Sequence, residues 1–110
     1  MANTFKLNTK AGGAVAANTD ITVLTASTTT ILIGLTISNK VTNAITVDVK
    51  LESSTAGNAN VNIGQNLPIP SGSSLDALAG KVCLNTGDIL KIQSDTANSI
   101  DIALSIMEIT

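Results

Sequence analysis

Near the end of the chain, Ile100, Ile102, Leu104 and Ile106 recur at every second position, with Asp101, Ala103 and Ser105 between them. A period of two predicts a strand with one apolar face. Two more runs precede it, Lys81–Leu84 and Ile89–Ser94, separated by a Thr86-Gly87-Asp88 turn and a polar break. Together they predict a three-stranded meander over residues 81–109. Its apolar face needs a second apolar layer against it. Ile31–Ser38 and Ala44–Glu52 are the natural source. Ile31, Ile33, Leu35 and Ile37 alternate with Leu32, Gly34, Thr36 and Ser38. In the second run Ile45, Val47, Val49 and Leu51 alternate strictly with Thr46, Asp48, Lys50 and Glu52. A short polar loop joins the two, so an antiparallel hairpin with one buried face is expected. Gly34, in mid-strand, signals a bulge or the close approach of another backbone.

The remaining elements are shorter. Ile21–Leu24 predicts a strand, Val61–Leu67 a weaker one, and Leu75–Ala79 a short strand or a single helical turn. Pro68 and Pro70 lack an N–H, which places their segment at a sheet edge or crossing between sheets. Ser53–Asn60 has the composition of an exposed loop tip. Residues 1–20 read as an extended N-terminal arm or edge strand around Phe5–Leu7, with a second extended piece near Ala14–Ala17. No segment keeps a helical period over three turns. About eight short strands between Gly, Asn, Ser and Thr clusters predict an all-β fold, an antiparallel sandwich or jelly-roll-like domain over residues 21–110.

Composition changes this picture in two ways. Phe5 is the single aromatic, so an aliphatic core of modest depth is expected, and burial against identical copies would add to it. Phe5 itself has two readings: it plugs one end of the core, which is the favoured one, or it anchors the arm on a neighbouring subunit. On the second reading Phe5, Lys6 and Leu7 are the candidate contact with an oligomer partner. Charged residues are only 13% of the chain and the net charge is −2, with six Lys or Arg in all. That disfavours nucleic-acid binding, which needs clustered cations and stacking aromatics. No apolar run is long enough for a membrane helix, and the start lacks the basic and apolar regions of a Sec signal.

Candidate chemistry is sparse. The chain has no His, so a Ser or Cys nucleophile would lack its usual base. Cys83 lies in the apolar run Val82–Leu84 and reads as a buried, inert thiol, and a lone cysteine leaves no internal disulfide to form. Asp88, Asp95 and Asp101 are close in sequence, yet acids between strands commonly serve their own turns, so neither calcium nor zinc is expected. Sugar hydrolysis would want aromatic platforms beside its carboxylates. The Ala11–Ala14 stretch has no phosphate-loop spacing. A protein without cofactor, metal or catalytic site is the expectation.

One resemblance adds to this. Leu67–Leu75 (LPIPSGSSL), Gly80–Leu84 (GKVCL) and Thr86–Ser94 (TGDILKIQS), following the Thr-rich strand Thr28–Asn39 and the alternating Thr46–Leu51, resemble small virion proteins of tailed bacteriophages, of the cyanophage and marine-phage type. The resemblance implies a structural part of the particle. A capsid decoration (cement) protein is foremost, forming a homo-oligomer such as a trimer and binding the phage major capsid protein or other virion proteins. It implies a virion location after synthesis in the host cytoplasm. A tail, neck or baseplate accessory protein is the alternative within that class. A glycan- or calcium-binding β-module used in host adhesion is the alternative outside it.

Overall fold

A computed structural model describes residues 3–11, 16–53, 58–78 and 81–109. Nine strands run in chain order: β1 (Asn3–Ala11), β2 (Ile21–Thr25), β3 (Thr29–Asn39), β4 (Ile45–Ser53), β5 (Asn58–Ile69), β6 (Ser74–Asp76), β7 (Val82–Leu84), β8 (Ile89–Ser94) and β9 (Ile100–Ile109). They form two antiparallel sheets, one ordered β1-β9-β3-β6 with β7 also on β3, the other ordered β2-β8-β4-β5. The fold class is an all-β antiparallel sandwich, as the alternation predicts. Asn3–Ala11 is an edge strand rather than a loose arm, and Leu75 lies in a strand, not a helical turn. The first half of the extended piece expected at Ala14–Ala17 and the centre of the Ser53–Asn60 loop fall outside the described residues. Ala17 and Asn18 form a turn, and Ser53 pairs with Asn58, so the strands extend further toward that loop tip than expected.

Strand pairing departs from the sequence expectation. β3 and β4 do not form a hairpin but sit in opposite sheets. The meander over residues 81–109 is likewise absent: β7 and β9 flank β3, while β8 lies between β2 and β4. Among the described strands, β4–β5 is the one hydrogen-bonded pair adjacent in sequence. The physical reason is burial. Two half-apolar strands placed side by side still leave one apolar face uncovered, whereas the same strands placed face to face cover each other. The crossing loops satisfy their own polar groups. Between β3 and β4, the buried Asn39 side chain donates to the carbonyls of Asn43 (2.8 Å) and Ile69 (3.0 Å) and accepts from the Val41 N–H (2.9 Å). Between β8 and β9, the hydroxyls of Ser94 and Ser99 meet at 2.6 Å, both buried.

The core lies between the sheets. Leu32, Leu35 and Ile37 of β3 and Ile100, Ile102, Leu104 and Ile106 of β9 face Ile45, Val47 and Val49 of β4 and Leu90 and Ile92 of β8. Each such side chain contributes about 1.5–3 kcal/mol by leaving water. Gly34 does mark a bulge. The register of β3 on β9 steps between Leu32 and Gly34, so Ile33 is the extra residue. That step reverses the expected faces around it: Leu32 is fully buried and Ile33 is exposed. An added Cβ at Gly34 would meet nothing, so the bulge, and no close backbone approach, accounts for this glycine.

Candidate assembly surface

Asp88 and Asp95, in turns, and Asp101, in β9, go to three separate tasks. Gly87, at φ 94°, turns the chain so that the Asp88 carboxylate accepts the Asn85 N–H and the Ser53 hydroxyl, both at 3.0 Å. Asp95 accepts the Thr46 N–H at 3.2 Å and the Thr96 hydroxyl at 2.9 Å. Desolvation pushes its carboxyl upward, but these donors outweigh it and hold the group below the ordinary value. Asp101 reaches Lys40 at 3.5 Å. Among the described residues no three His, Cys, Asp or Glu side chains converge as metal ligands would. A shallow depression of about 300 Å³ lies over Thr9, Lys10, Ser38, Asp101, Ile102 and Ala103. Its titratable groups are one amine and one carboxylate, with no nucleophile–base pair between them.

The informative surface is the outer face of the β1-β9-β3 sheet. Residues opposite each other across an antiparallel pair share a face of the sheet. Ile106 and Leu104 point into the core, so Met107 and Ser105 point away from it. The pairing sets Phe5 opposite Met107, Met107 opposite Ile31, and Ile31 opposite Cys83. Four strands thus place Phe5, Met107, Ile31 and Cys83 in one row on the outside. Beside it, Leu7 lies opposite Ser105 and Ser105 opposite Gly34, with Ile33 turned outward by the bulge. Phe5 is 72% exposed, Leu7 66% and Ile33 38%.

Two expectations are corrected here. Phe5 does not plug the core, because its register puts it on the far side of the sheet from Ile106. Cys83 is exposed, not buried, because Leu84 takes the core-facing position in the short strand and alternation sends Cys83 outward. The candidate contact residues divide between faces. Phe5 and Leu7 come together on the outside, whereas Lys6, opposite Ile106, turns to the other face and meets Glu108 at 2.8 Å. Sequence reasoning missed Ile33, Met107 and Cys83 as outward-facing. The Gly34 bulge signal, followed through as a change of phase, was enough to find Ile33.

The other sheet's outer face is charged. Lys50 meets Asp20 at 3.0 Å and Gln93 at 2.7 Å, and Lys91 meets Glu52 at 2.6 Å. Lys50 and Lys91 lie directly opposite each other on β4 and β8, so Asp20 and Glu52 offset a like-charge pair. The Glu52 hydrogen bond raises the Lys91 ammonium above its ordinary value, against the opposing effect of desolvation.

No protein-family model and no curated protein matches the chain. Solved structures do. A subunit of the disulfide-linked pili of Bacillus endospore appendages superposes with a TM-score of 0.54 at 14% identity, over 97% of this chain and 86% of that one. A chain of the T13 particle of infectious bursal disease virus gives 0.59 at 11% identity, over 96% of this chain but only 30% of its own length. The Drosophila NLP core, a protein described by its pentamer formation and histone binding, gives 0.53 at 10% identity, over 99% and 98%. At such identities the likeness is one of fold: this chain shares the antiparallel β-sandwich with all three.

Proposed function

We propose that this protein is a non-enzymatic structural component of a tailed-phage virion, a capsid decoration protein that self-associates and binds the lattice of the major capsid protein. The observation that carries the reading is the uncharged apolar row of Phe5, Met107 and Ile31, with Leu7 and Ile33 beside it, on a sheet face turned away from the core. A contiguous exposed apolar patch on a small domain gains free energy by being covered, and an aromatic at its edge is a typical anchor. The turn-and-strand motifs of residues 67–94 supply the phage assignment. The sandwich fold, shared with a viral-particle chain and a pilus subunit, suits a part copied many times. In the cell the chain would be made in the host cytoplasm and end in the virion.

Sedimentation of the purified chain, followed by mixing with expanded capsids of the phage that encodes it and imaging, tests this. Self-association and saturable binding at regular lattice positions are expected. A monomer without capsid affinity would overturn the reading, and so would density confined to the tail, neck or baseplate.

A further inference from the structure

The edges of the two sheets are not alike. β2 has five residues and a register step between Thr22 and Leu24. β6 and β7 have three residues each. β5 is long, but its pairing with β4 shifts register in three places, it contains Pro68, and Asn66 sits at φ 53°. Short length, proline and bulges, along with edge lysines, are among the devices by which proteins blunt an edge against other chains. β1 has none of the first three: it has nine residues, no Pro or Gly, and an unbroken register along β9 from Asn3↔Ile109 to Ala11↔Asp101. Its one blunting feature is the lysine pair Lys6 and Lys10, which limits the registers it can accept without closing the edge. Its far side has no strand beside it among the described residues. It therefore offers a long, straight row of backbone donors and acceptors.

We infer that this edge pairs with β1 of a second copy, antiparallel about a two-fold axis through Leu7, so that two sandwiches share one continuous sheet. This rests on self-association, not on the virion location. A two-fold axis perpendicular to the sheet keeps the outer faces of both copies on the same side, so odd-numbered positions oppose odd and even oppose even. Every register with a residue on the axis meets that condition, so overlap and charge choose among them. With Phe5 opposite the partner's Phe5, the strands overlap over little more than half of their length. With Lys6 opposite the partner's Lys6, or Asn8 opposite the partner's Asn8, two lysines stand directly opposed, which destabilises the pair. With Leu7 opposite the partner's Leu7, all nine residues pair, Lys6 faces the partner's Asn8 and Lys10 faces the partner's Thr4. The lysines are then one diagonal step apart, and Lys6 is held by Glu108 of its own chain. On the outer face Phe5 reaches the partner's Leu7 diagonally. Backbone bonding supplies the contact, and the lysines select the register. The unit is a pair, in place of the trimer expected from the resemblance to phage virion proteins.

Single-cysteine variants read the register directly. In a Cys83→Ser background, Leu7→Cys lies on the axis and should oxidise to a covalent dimer at near-complete yield. Phe5→Cys should not, because its counterpart is four residues away, about 14 Å along the strand. A mixture of Phe5→Cys and Thr9→Cys should give a mixed covalent dimer. Leu7→Asp should weaken association at least tenfold, with a circular dichroism spectrum and melting curve matching those of the parent. Linking of Phe5→Cys or Lys6→Cys with itself, an oligomer in which Leu7→Cys does not link, a trimer mass, or a monomer would each overturn the inference. A β1-paired dimer that ignores capsids would leave it standing and remove the virion assignment instead.

Discussion

The outer face of the β2-β8-β4-β5 sheet carries Asp48, Lys50, Glu52, Lys91 and Gln93, and the outer face of the β1-β9-β3 sheet carries Phe5, Leu7, Ile31, Ile33 and Met107. Both faces arise from the same alternation, with every second residue turned from the core. On the first, Lys50 and Lys91 each find a carboxylate or amide on their own molecule, and the exposed apolar residues of that sheet, Val61 and Ile63, lie on its β5 edge. On the second, Phe5, Leu7 and Ile33 stand exposed, with Ile31 and Met107 half-buried between them, beside a long edge strand of regular register. Solvation makes the charged face costly to cover, since its ion pairs would lose water, whereas covering the apolar face releases water at no such cost. On the proposed reading, the apolar face is the side that meets a partner.

The comparison depends first on the Ile33 bulge, and the largest expected effect tests it. Leu32→Ala should lower stability by about 2–5 kcal/mol in urea unfolding, because it empties a fully buried position. Ile33→Ala should change it by less than about 1 kcal/mol. Simple alternation through Gly34 requires the reverse order, so a reversal would restore the unbulged strand. Next, Phe5→Ser should leave the isolated subunit within about 0.5 kcal/mol of the parent while weakening association about tenfold or more, measured by sedimentation equilibrium. The same measurement on Glu52→Gln should show no change in association. If the two variants behaved alike, the two faces would not differ in role.

The smallest effect belongs to the charged face alone. Because the Lys91 ammonium is raised above its ordinary 10.5 in the folded protein, its stabilising contribution is fully present below pH 10.5. It is lost as pH rises through the folded value. Melting curves recorded on either side of that pH should show a small loss in the parent, diminished by salt and absent from Glu52→Gln. A loss of equal size in both proteins would mean that Glu52 does not hold Lys91.

How much of this could be read from residues differs from place to place. The strands β4 and β9 are legible because Ile45–Leu51 and Ile100–Ile106 carry unambiguous alternation, and β8 because Ile89–Ser94 is an apolar-rich run bounded by turn residues. The Asp88 turn is legible from Gly87, whose φ of 94° is a conformation that other residues adopt at a cost. β1 was visible only as a weak edge around Phe5–Leu7, because its inner positions Thr4, Lys6, Asn8 and Lys10 are polar and overhang the core. Composition alone, Phe5 being the single aromatic, marks Phe5 and Leu7 as a candidate contact. That they lie together on the outer face with Met107 and Ile31, and that Lys6 does not, follows from the β9 register, to which residues so far apart in sequence give no local clue.

Sequence by itself determined the class of this protein. A period of two is a local property, and with no helical period to compete with it an all-β chain with one-sided strands must result. Local periodicity does not choose partners. Whether β3 lies beside β4 or across from it, and whether β8 joins β9 or faces it, was decided only in the folded state, where the apolar faces of both sheets close over one core. The same closure, through the bulge at Ile33, decided which apolar side chains were left outside it.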